Sequence, residues 1–331
     1  MGSLFTCFHG EEQAPPNKES YSCIPKIENN YKDISYNSLK NEINKHIKSI
    51  KRKNENNKFS YNNYEYEFSL LEKNIDDNEA HYDELEEGIQ ELCRYSDIKT
   101  YKHNNLEINT ESKYINASPI RINEKIVFIS TQGPKPNTIE DFWVMVEQYN
   151  SKVIIMLCNL MEGNREKCAN YWDANNSLKK YSINFNEKTT KYNTIVEREI
   201  KLKNNSTNSE KSIIQIHYKG WPDHGAPKIE ESFNDFLYII KKVDEIKGDG
   251  DEPIVVHCSA GVGRTGAFIS MYFLYKEIMA QIKDESLEKI NFSVFNMVRK
   301  LKEMRLYMVQ SVVQYKFIYD FVDCLLKEYN K

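Results

Sequence analysis

The chain has 331 residues, with 45 Lys and Arg against 49 Asp and Glu, and a formal net charge of −4 at pH 7. This balance argues against a general nucleic-acid binder, which would carry an excess of positive charge. We find no apolar run long enough to span a membrane and no secretory signal. The seven cysteines have no framework or zinc-site spacing, and their odd number favours a reducing compartment.

Residues 1–60 differ in composition from the rest of the chain. They contain Pro15-Pro16, scattered Asn and Lys and little apolar periodicity, so we predict a flexible N-terminal extension. Within it, 40–53 is a basic stretch with isoleucines at helical spacing, which indicates either one amphipathic helix or a solvated charged one. We place the boundary of the following domain near residue 60, so that the domain covers 61–331.

The first residues of the chain fit a lipidation pattern. Met1 to Thr6 match the N-myristoylation pattern, with Gly2 as the acceptor, and Cys7 is a candidate for palmitoylation. One myristoyl group binds a membrane only marginally, so a second signal from Cys7 or the basic stretch would be needed for peripheral attachment. The alternative is an ordinary Met-Gly start.

Beyond residue 60, strand-like and helix-like segments alternate, which predicts an α/β domain. Apolar runs predict strands over 126–130, 152–157, 212–218 and 253–257. Apolar residues at helical spacing predict helices over 138–149, 231–246, 267–282 and 312–326. The polar segment 204–209 (NNSTNS) is interpreted as a loop insertion.

The segment HCSAGVGRTG, 257–266, is the most informative part of the chain. It places Cys258 six positions before Arg264, in a glycine-rich turn between a predicted strand and a predicted helix. Gly261 and Gly263 allow successive N–H groups to converge on one anion, and the helix start adds partial positive charge. We expect these groups to favour the Cys258 thiolate as a nucleophile, while Arg264 grips two phosphate oxygens. The spacing alone would be weak evidence, and a buried reduced cysteine in a turn is the alternative.

HCSAGVGRTG resembles the active-site signature of the cysteine-dependent protein tyrosine phosphatases, of the phosphotyrosine-specific, non-receptor type. The resemblance implies that His257 supports the loop and that the Thr265 hydroxyl eases departure of the thiolate. For Thr265, an ordinary helix-start role is the alternative. The loop residues that would bind the substrate phosphate are Ser259, Ala260, Gly261, Val262 and Gly263.

Two further segments resemble parts of the same family. The segment 221–225 (WPDHG) matches the mobile acid loop, which makes Asp223 the general acid and Trp221 a supporting residue. The segment 310–315 (QSVVQY) resembles the glutamine loop, in which Gln310 positions water and Gln314 contacts substrate. The alternatives are ordinary turn chemistry for Pro-Asp-His-Gly and a helix with solvent-facing glutamines. Arg305 also matches the family, with a solvated helix charge as its alternative.

The segment 94–98 (RYSDI) resembles the family's phosphotyrosine loop, in which Tyr95 stacks on the substrate ring and Asp97 accepts hydrogen bonds from the peptide backbone. Cys93 stands where the family usually has asparagine, and a chance match is the alternative. In 162–172 (EGNREKCANYW), the resemblance implies supporting positions. These are Glu162 and Tyr171 beside the cysteine loop and Lys167 near the acid loop, with solvated surface charges as the alternative for Glu162 and Lys167.

The resemblance implies a strongly twisted mixed β-sheet flanked by helices, with the Cys-x5-Arg loop at a strand's carboxyl end. It implies hydrolysis of phosphotyrosine in proteins through a phosphocysteine intermediate, without metal or cofactor. Two alternatives stay open: a phosphotyrosine-binding pseudophosphatase, and a dual-specificity or phosphoinositide phosphatase. We expect a monomer that acts on phosphotyrosine-containing proteins in signal transduction and binds no nucleic acid. We expect it in the cytoplasm, with attachment to the inner face of a membrane through an N-myristoyl group as a hypothesis.

Overall fold

In the computed structural model, the described residues are 61–72, 87–175, 178–190, 192–222, 225–282, 290 and 292–329. They form a seven-stranded sheet, a two-stranded ribbon and helices around the sheet. The sheet strands are β1 (Ala117–Ile122), β2 (Lys125–Thr131), β3 (Val153–Met156), β6 (Tyr181–Thr189), β7 (Ile195–Asn204), β8 (Glu210–Tyr218) and β9 (Ile254–His257), and the ribbon is β4 (Met161–Glu162) and β5 (Arg165–Glu166). The helices are α1 (Tyr61–Glu72), α2 (Glu87–Gln90), α3 (Ile139–Gln148), α4 (Ile229–Lys247), α5 (Gly263–Ile282), α6 (Val294–Met304) and α7 (Val312–Tyr329).

The sheet is mixed, with strand order β1-β2-β9-β3-β8-β7-β6. Its four central strands, β2, β9, β3 and β8, are parallel, and the outer strands are antiparallel. Strand β9 lies between β2 and β3, where His257 is in register with Thr131 on one side and Met156 on the other. All four residues of β9 are buried, as expected for a central parallel strand covered on both faces. The chain leaves this strand at its carboxyl end, which is where α/β sheets place their sites.

Helices cover both faces of the sheet. Phe128 of β2 packs edge-on against Tyr272 and Phe273 of α5, with ring centroids 5.0 and 5.3 Å apart. His257 faces the opposite side, because side chains alternate along a strand, and its ring contacts Phe142 of α3. Among the described residues, no helix has an apolar stretch long enough to cross a bilayer.

The expected α/β architecture is confirmed, and the predicted strands and helices are all present with shifted ends. Strands β1, β6 and β7 and helix α6 were not predicted, although β6 and β7 alternate apolar and polar residues and α6 has apolar residues at helical spacing. The prediction of a loop at 204–209 is confirmed. This segment is the turn between β7 and β8, in which the Asn204 side chain accepts hydrogen bonds from the N–H groups of Ser206 and Thr207. The extension 1–60, with its basic stretch, lies outside the described residues.

Candidate active site

The loop that follows β9 holds a cysteine among backbone donors. Cys258 is 4% exposed, and its Sγ accepts a hydrogen bond from the N–H of Gly261 at 3.3 Å. Gly261 has a φ of 71°, and a Cβ at this position would lie 2.1 Å from the carbonyl oxygen of Thr131. Only glycine therefore fits this turn. Four further N–H groups donate to no acceptor within the described part of the chain: those of Ser259, Ala260, Val262 and Gly263.

Arg264 follows in the first turn of α5, and its side chain is held by a carboxylate. Its two Nη atoms donate to the two oxygens of Glu162, with Nη2 at 2.7 Å, and the two side chains are 11% and 4% exposed. Nη1 also donates to the Leu157 carbonyl at 3.2 Å, and Nη2 to the Pro222 carbonyl at 3.1 Å. Burial alone would lower the pKa of Arg264, but the hydrogen bonds with Glu162 raise it above its ordinary value. Lys167 lies 4.0 Å from the same carboxylate.

A second arginine, Arg305, contacts the backbone of the cysteine loop from the protein interior. Arg305 is fully buried, so the alternative of a solvated helix charge is wrong. Its Nε donates to the Gly261 carbonyl at 2.9 Å and its Nη2 to the Ala260 carbonyl at 3.1 Å. The remaining donors reach Ser118 Oγ at 3.1 Å and Asn116 Oδ1 at 2.7 Å. Burial lowers the pKa of Arg305 to about 10, so the side chain stays charged at neutral pH.

The segment expected to form the phosphotyrosine loop lies against the cysteine loop. The Ser259 hydroxyl donates its only proton to the Lys167 carbonyl at 2.9 Å. The Tyr95 hydroxyl is therefore the donor in its 2.8 Å hydrogen bond with Ser259 Oγ. Arg94 anchors this segment by donating to the carbonyls of Gly133 and Pro134. Asp97 is exposed. The structure thus places the Tyr95 ring at the edge of the loop that carries Cys258.

The glutamine segment lies against the other side of the loop. A Cβ on Gly263 would lie 2.9 Å from the side-chain amide of Gln314 and 3.2 Å from Cβ of Gln310. The N–H of Gln310 donates to Gln314 Oε1 at 2.9 Å, and the N–H of Val309 donates to the Val262 carbonyl at 3.1 Å. The Gln310 side chain is exposed, so it is accessible from solvent.

The acid segment is described only in part. Asp223 lies outside the described residues. On its two sides, Trp221 Nε1 donates to the Gly225 carbonyl at 3.1 Å, and the Pro222 carbonyl contacts Arg264. Trp221 is buried against Phe236 and Phe317, which anchors the segment beside the cysteine loop. Gly2 and Cys7 also lie outside the described residues.

Thr265 and His257 flank the loop within the core. The hydroxyl of Thr265 is buried and has no hydrogen-bond partner among the described residues. His257 Nδ1 lies 3.1 Å from the Cys258 carbonyl, and its Nε2 lies 2.8 Å from the Tyr171 hydroxyl. Burial lowers the pKa of His257 to about 4, so the ring is neutral at pH 7.

The sequence analysis did not identify two buried residues that are connected to Tyr171 by hydrogen bonds. Gln215 donates to the Tyr171 hydroxyl at 2.6 Å, and Arg198 donates to Gln215 at 2.6 Å. The only signal in the sequence was Gln215 as a polar residue inside an apolar strand run, two positions before His217.

The family model described as protein-tyrosine phosphatase matches residues 89–324. Human tyrosine-protein phosphatase non-receptor type 20 is 35% identical over 240 residues, which cover 70% of this chain and 54% of that protein. Receptor-type tyrosine-protein phosphatase S of Gallus gallus is 37% identical over 211 residues, which cover 63% of this chain and 13% of that protein. The chain thus spans about half the length, or less, of these curated relatives.

Solved structures agree with these similarities. The catalytic domain of human protein tyrosine phosphatase non-receptor type 18 superposes with a TM-score of 0.71 at 29% identity, over 80% of this chain and 96% of that domain. The structure titled PTPN18 in complex with HER2-pY1196 phosphor-peptides gives 0.74 at 27% identity, over 84% and 98% of the two chains. Given the loop geometry and the matched length, the chain belongs to the protein-tyrosine phosphatase family.

Proposed function

We propose that the chain hydrolyses phosphotyrosine in proteins in two steps, with Cys258 as the nucleophile and no metal or cofactor. The observation that carries the proposal is the bidentate ion pair between Arg264 and Glu162 beside Cys258. It holds the planar Arg264 guanidinium next to a loop in which the N–H groups of Ser259, Ala260, Val262 and Gly263 have no acceptor among the described residues. Such a site suits a phosphate dianion, because buried donors need partners and the cation supplies charge.

In the first step, the Cys258 thiolate attacks phosphorus, an S–P bond forms and the bond from phosphorus to the tyrosine oxygen breaks. Asp223 gives its proton to the leaving oxygen. Arg264 and the N–H groups of residues 259–263 stabilise the charge that spreads over the phosphoryl oxygens. The contact between Arg264 and Pro222 supports this assignment, since it joins the acid segment to the phosphate site.

In the second step, water attacks the phosphocysteine, the S–P bond breaks and Asp223 takes the water proton. Gln310 positions this water, and its exposed side chain beside Gly263 supports that role. The Thr265 hydroxyl, which has no partner in the part of the chain that the structure describes, is available to donate to the departing thiolate. Gln314 holds Gln310 through the backbone hydrogen bond.

We propose phosphotyrosine rather than phosphoserine as the substrate group, because an aromatic wall stands beside the loop. The Tyr95 ring is tied to the loop through Ser259, and Asp97 at the rim is exposed for contact with a substrate backbone. The likeness to a phosphatase whose structure contains phosphotyrosine peptides supports the same substrate class here. Trp221, Glu162, Lys167, Tyr171 and His257 serve as supporting residues.

The test is phosphate release from phosphotyrosine peptide, phosphoserine peptide and phosphoinositide. Wild type should hydrolyse the phosphotyrosine peptide selectively. Cys258→Ser should lose at least about 10³-fold in kcat, Asp223→Ala about 10²-fold or more, and Gln310→Ala should accumulate the phosphocysteine intermediate. Cys324→Ser is the matched control, because Cys324 is a half-buried cysteine of α7 outside the loop.

Each alternative has its own outcome. Phosphopeptide binding without turnover by wild type would identify a pseudophosphatase. Comparable rates on phosphoserine or phosphoinositide would identify the broader phosphatase classes. Activity that survives Cys258→Ser would refute the proposed nucleophile.

We further propose that residues 61–331 form the catalytic domain of a cytoplasmic, monomeric signalling enzyme, and that Gly2 is myristoylated. The pattern of the first six residues supports lipidation, with Cys7 or the basic stretch as a second membrane signal. Cells labelled with a myristate analogue should yield labelled wild type and unlabelled Gly2→Ala, while Cys7→Ser should keep the label but lose membrane association. Equal labelling of wild type and Gly2→Ala would exclude myristoylation. Sedimentation analysis tests the monomer.

A further inference from the structure

A chain of hydrogen bonds runs through the core to the nucleophile loop. Arg198 of β7 and Gln215 of β8 are opposite each other in register, and both are buried. Arg198 Nη1 donates to Gln215 Oε1 at 2.6 Å, and Gln215 Nε2 donates to the Tyr171 hydroxyl at 2.6 Å. That hydroxyl lies 2.8 Å from His257 Nε2, and His257 Nδ1 lies 3.1 Å from the carbonyl oxygen of Cys258.

The two ends of this chain imply the same direction for every proton, since the Cys258 carbonyl at its far end can only accept. An arginine can only donate, so the atom of Gln215 that faces Arg198 is its oxygen, and its NH₂ group faces Tyr171. The Tyr171 oxygen therefore accepts from Gln215 and sends its single proton to His257 Nε2. A neutral histidine has one ring proton, which must then sit on Nδ1 and point at the Cys258 carbonyl.

Arg198 is itself firmly placed. Its guanidinium lies over the Trp172 ring, 4.2 Å from the centroid, and Nη2 pairs with Glu187 of β6 at 2.7 Å. Nη1 also donates to His217 Nδ1 at 3.3 Å. The ring proton of His217 therefore lies on Nε2, which donates to the Cys158 carbonyl at 2.8 Å. This second series of hydrogen bonds, from Arg198 through His217, ends at Cys158. The preceding residue is Leu157, whose carbonyl accepts from Arg264.

We propose that Arg198 and Gln215 are positioning residues: the Gln215 amide, oriented by Arg198, directs the Tyr171 proton to His257 Nε2, which supports the Nδ1 tautomer and thereby orients the peptide between Cys258 and Ser259. The Cys258 carbonyl and the Ser259 N–H belong to one peptide unit. A hydrogen bond to that carbonyl fixes the plane and polarises the N–H, which has no acceptor among the described residues. The catalytic consequence rests on the proposed function, but the tautomer itself does not.

The test compares two substitutions at Gln215. In Gln215→Glu, Arg198 keeps the carboxylate ionised, and a carboxylate can only accept. Tyr171 must then donate to Glu, so His257 receives no proton from Tyr171 and its own proton moves to Nε2. Gln215→Leu removes the partner but leaves Tyr171 able to donate to His257. The tautomer is measured by ¹H–¹⁵N correlation in histidine-labelled full-length protein, with the His257 signals assigned by their loss in His257→Asn.

Wild type and Gln215→Leu should carry the proton on Nδ1, and Gln215→Glu should carry it on Nε2. The kcat of Gln215→Glu on a phosphotyrosine peptide should be about tenfold lower than that of wild type, which is the effect of one lost hydrogen bond. It should also be lower than the kcat of Gln215→Leu. A merely structural role predicts the reverse order, since Glu keeps both the volume and the partner of Arg198. In a Tyr171→Phe background, Gln215→Glu should add little to the loss.

The matched control is Gln148→Glu, the same exchange at an α3 glutamine whose bonds among the described residues are to the backbone of residues 107 and 109. Its activity should stay within about twofold of wild type. Retention of the Nδ1 proton in Gln215→Glu, or wild-type activity in that variant, would overturn the proposal. A wild type with the Nδ1 tautomer but without phosphotyrosine hydrolysis would overturn only the proposed function.

Discussion

Both Nη atoms of Arg264 are bonded to the two carboxylate oxygens of Glu162, so the residue proposed to hold the phosphate is itself held. The pair lies at the end of the sheet that carries Cys258, and its side chains are nearly inaccessible to solvent. A guanidinium held in one geometry loses little conformational entropy when it binds phosphate. Arg264 should therefore bind phosphate more tightly than a mobile arginine would.

Glu162→Gln should reduce kcat/KM on a phosphotyrosine peptide by about 10- to 100-fold, because an amide offers Arg264 one acceptor and no charge. The loss should appear in both kcat and KM. Steady-state kinetics check it, and Asp323→Asn is the control, since it removes an exposed carboxylate that pairs with Lys327 on α7. Unchanged kinetics of Glu162→Gln would contradict the orienting role.

Arg305→Met should lower the free energy of unfolding by about 3 kcal/mol, because the carbonyls of Ala260 and Gly261 and two buried side chains each lose one hydrogen bond. Arg305→Lys should recover part of this stability but little activity, since an ammonium cannot reach all four acceptors. Urea unfolding and kinetics together check both variants. Full activity of Arg305→Lys would show that activity requires only the positive charge at this position and not the four hydrogen bonds.

Gly261→Ala should destabilise the protein by about 3 kcal/mol or more and abolish turnover, because the added carbon would meet the Thr131 backbone and the left-handed φ is unfavourable. Gly88→Ala is the matched control, since a carbon there meets nothing within 4 Å. Thermal and urea unfolding of both variants provide the measurement. Equal midpoints for the two variants would show that the loop can rearrange at low cost.

Stability should fall as pH rises towards 8 because of Glu277 in α5. Burial raises the pKa of Glu277 from 4.5 to about 8, although Lys300 of α6 opposes the shift. Between these two values, the folded protein holds a proton that the unfolded chain releases, so the free energy of unfolding decreases with rising pH, by at most about 1.4 kcal/mol per pH unit.

Glu277→Gln should therefore remove this slope. Its stability relative to wild type should rise by about 2 kcal/mol between pH 6 and pH 8 in urea titrations. The exposed Glu65 provides the control in Glu65→Gln, which should leave the pH profile unchanged. Parallel profiles for wild type and Glu277→Gln would show that Glu277 does not carry this dependence.

Tertiary contacts corrected the interpretation of several polar residues. Arg305, whose sequence pattern also allowed a solvated charge, is buried under the loop 44 residues before it. Strands β6 and β7 were not predicted, although apolar and polar residues alternate in both; β7 pairs with β8, and β6 pairs with β7 at the edge of the sheet.

The sequence by itself predicted the loop proposed to carry the nucleophile, because a strand, a glycine turn and a helix start lie within ten consecutive residues whose geometry is local. The Cys258 and Arg264 spacing, Gly261 in its left-handed turn and the family resemblance all follow from that stretch. The resemblance implied that Glu162 lies beside this loop, but only the tertiary structure showed its ion pair with Arg264 across 102 residues and the bond from Gln215 to Tyr171 across 44 residues. Such pairs depend on strand register and on the packing of segments distant in sequence, which no local pattern encodes.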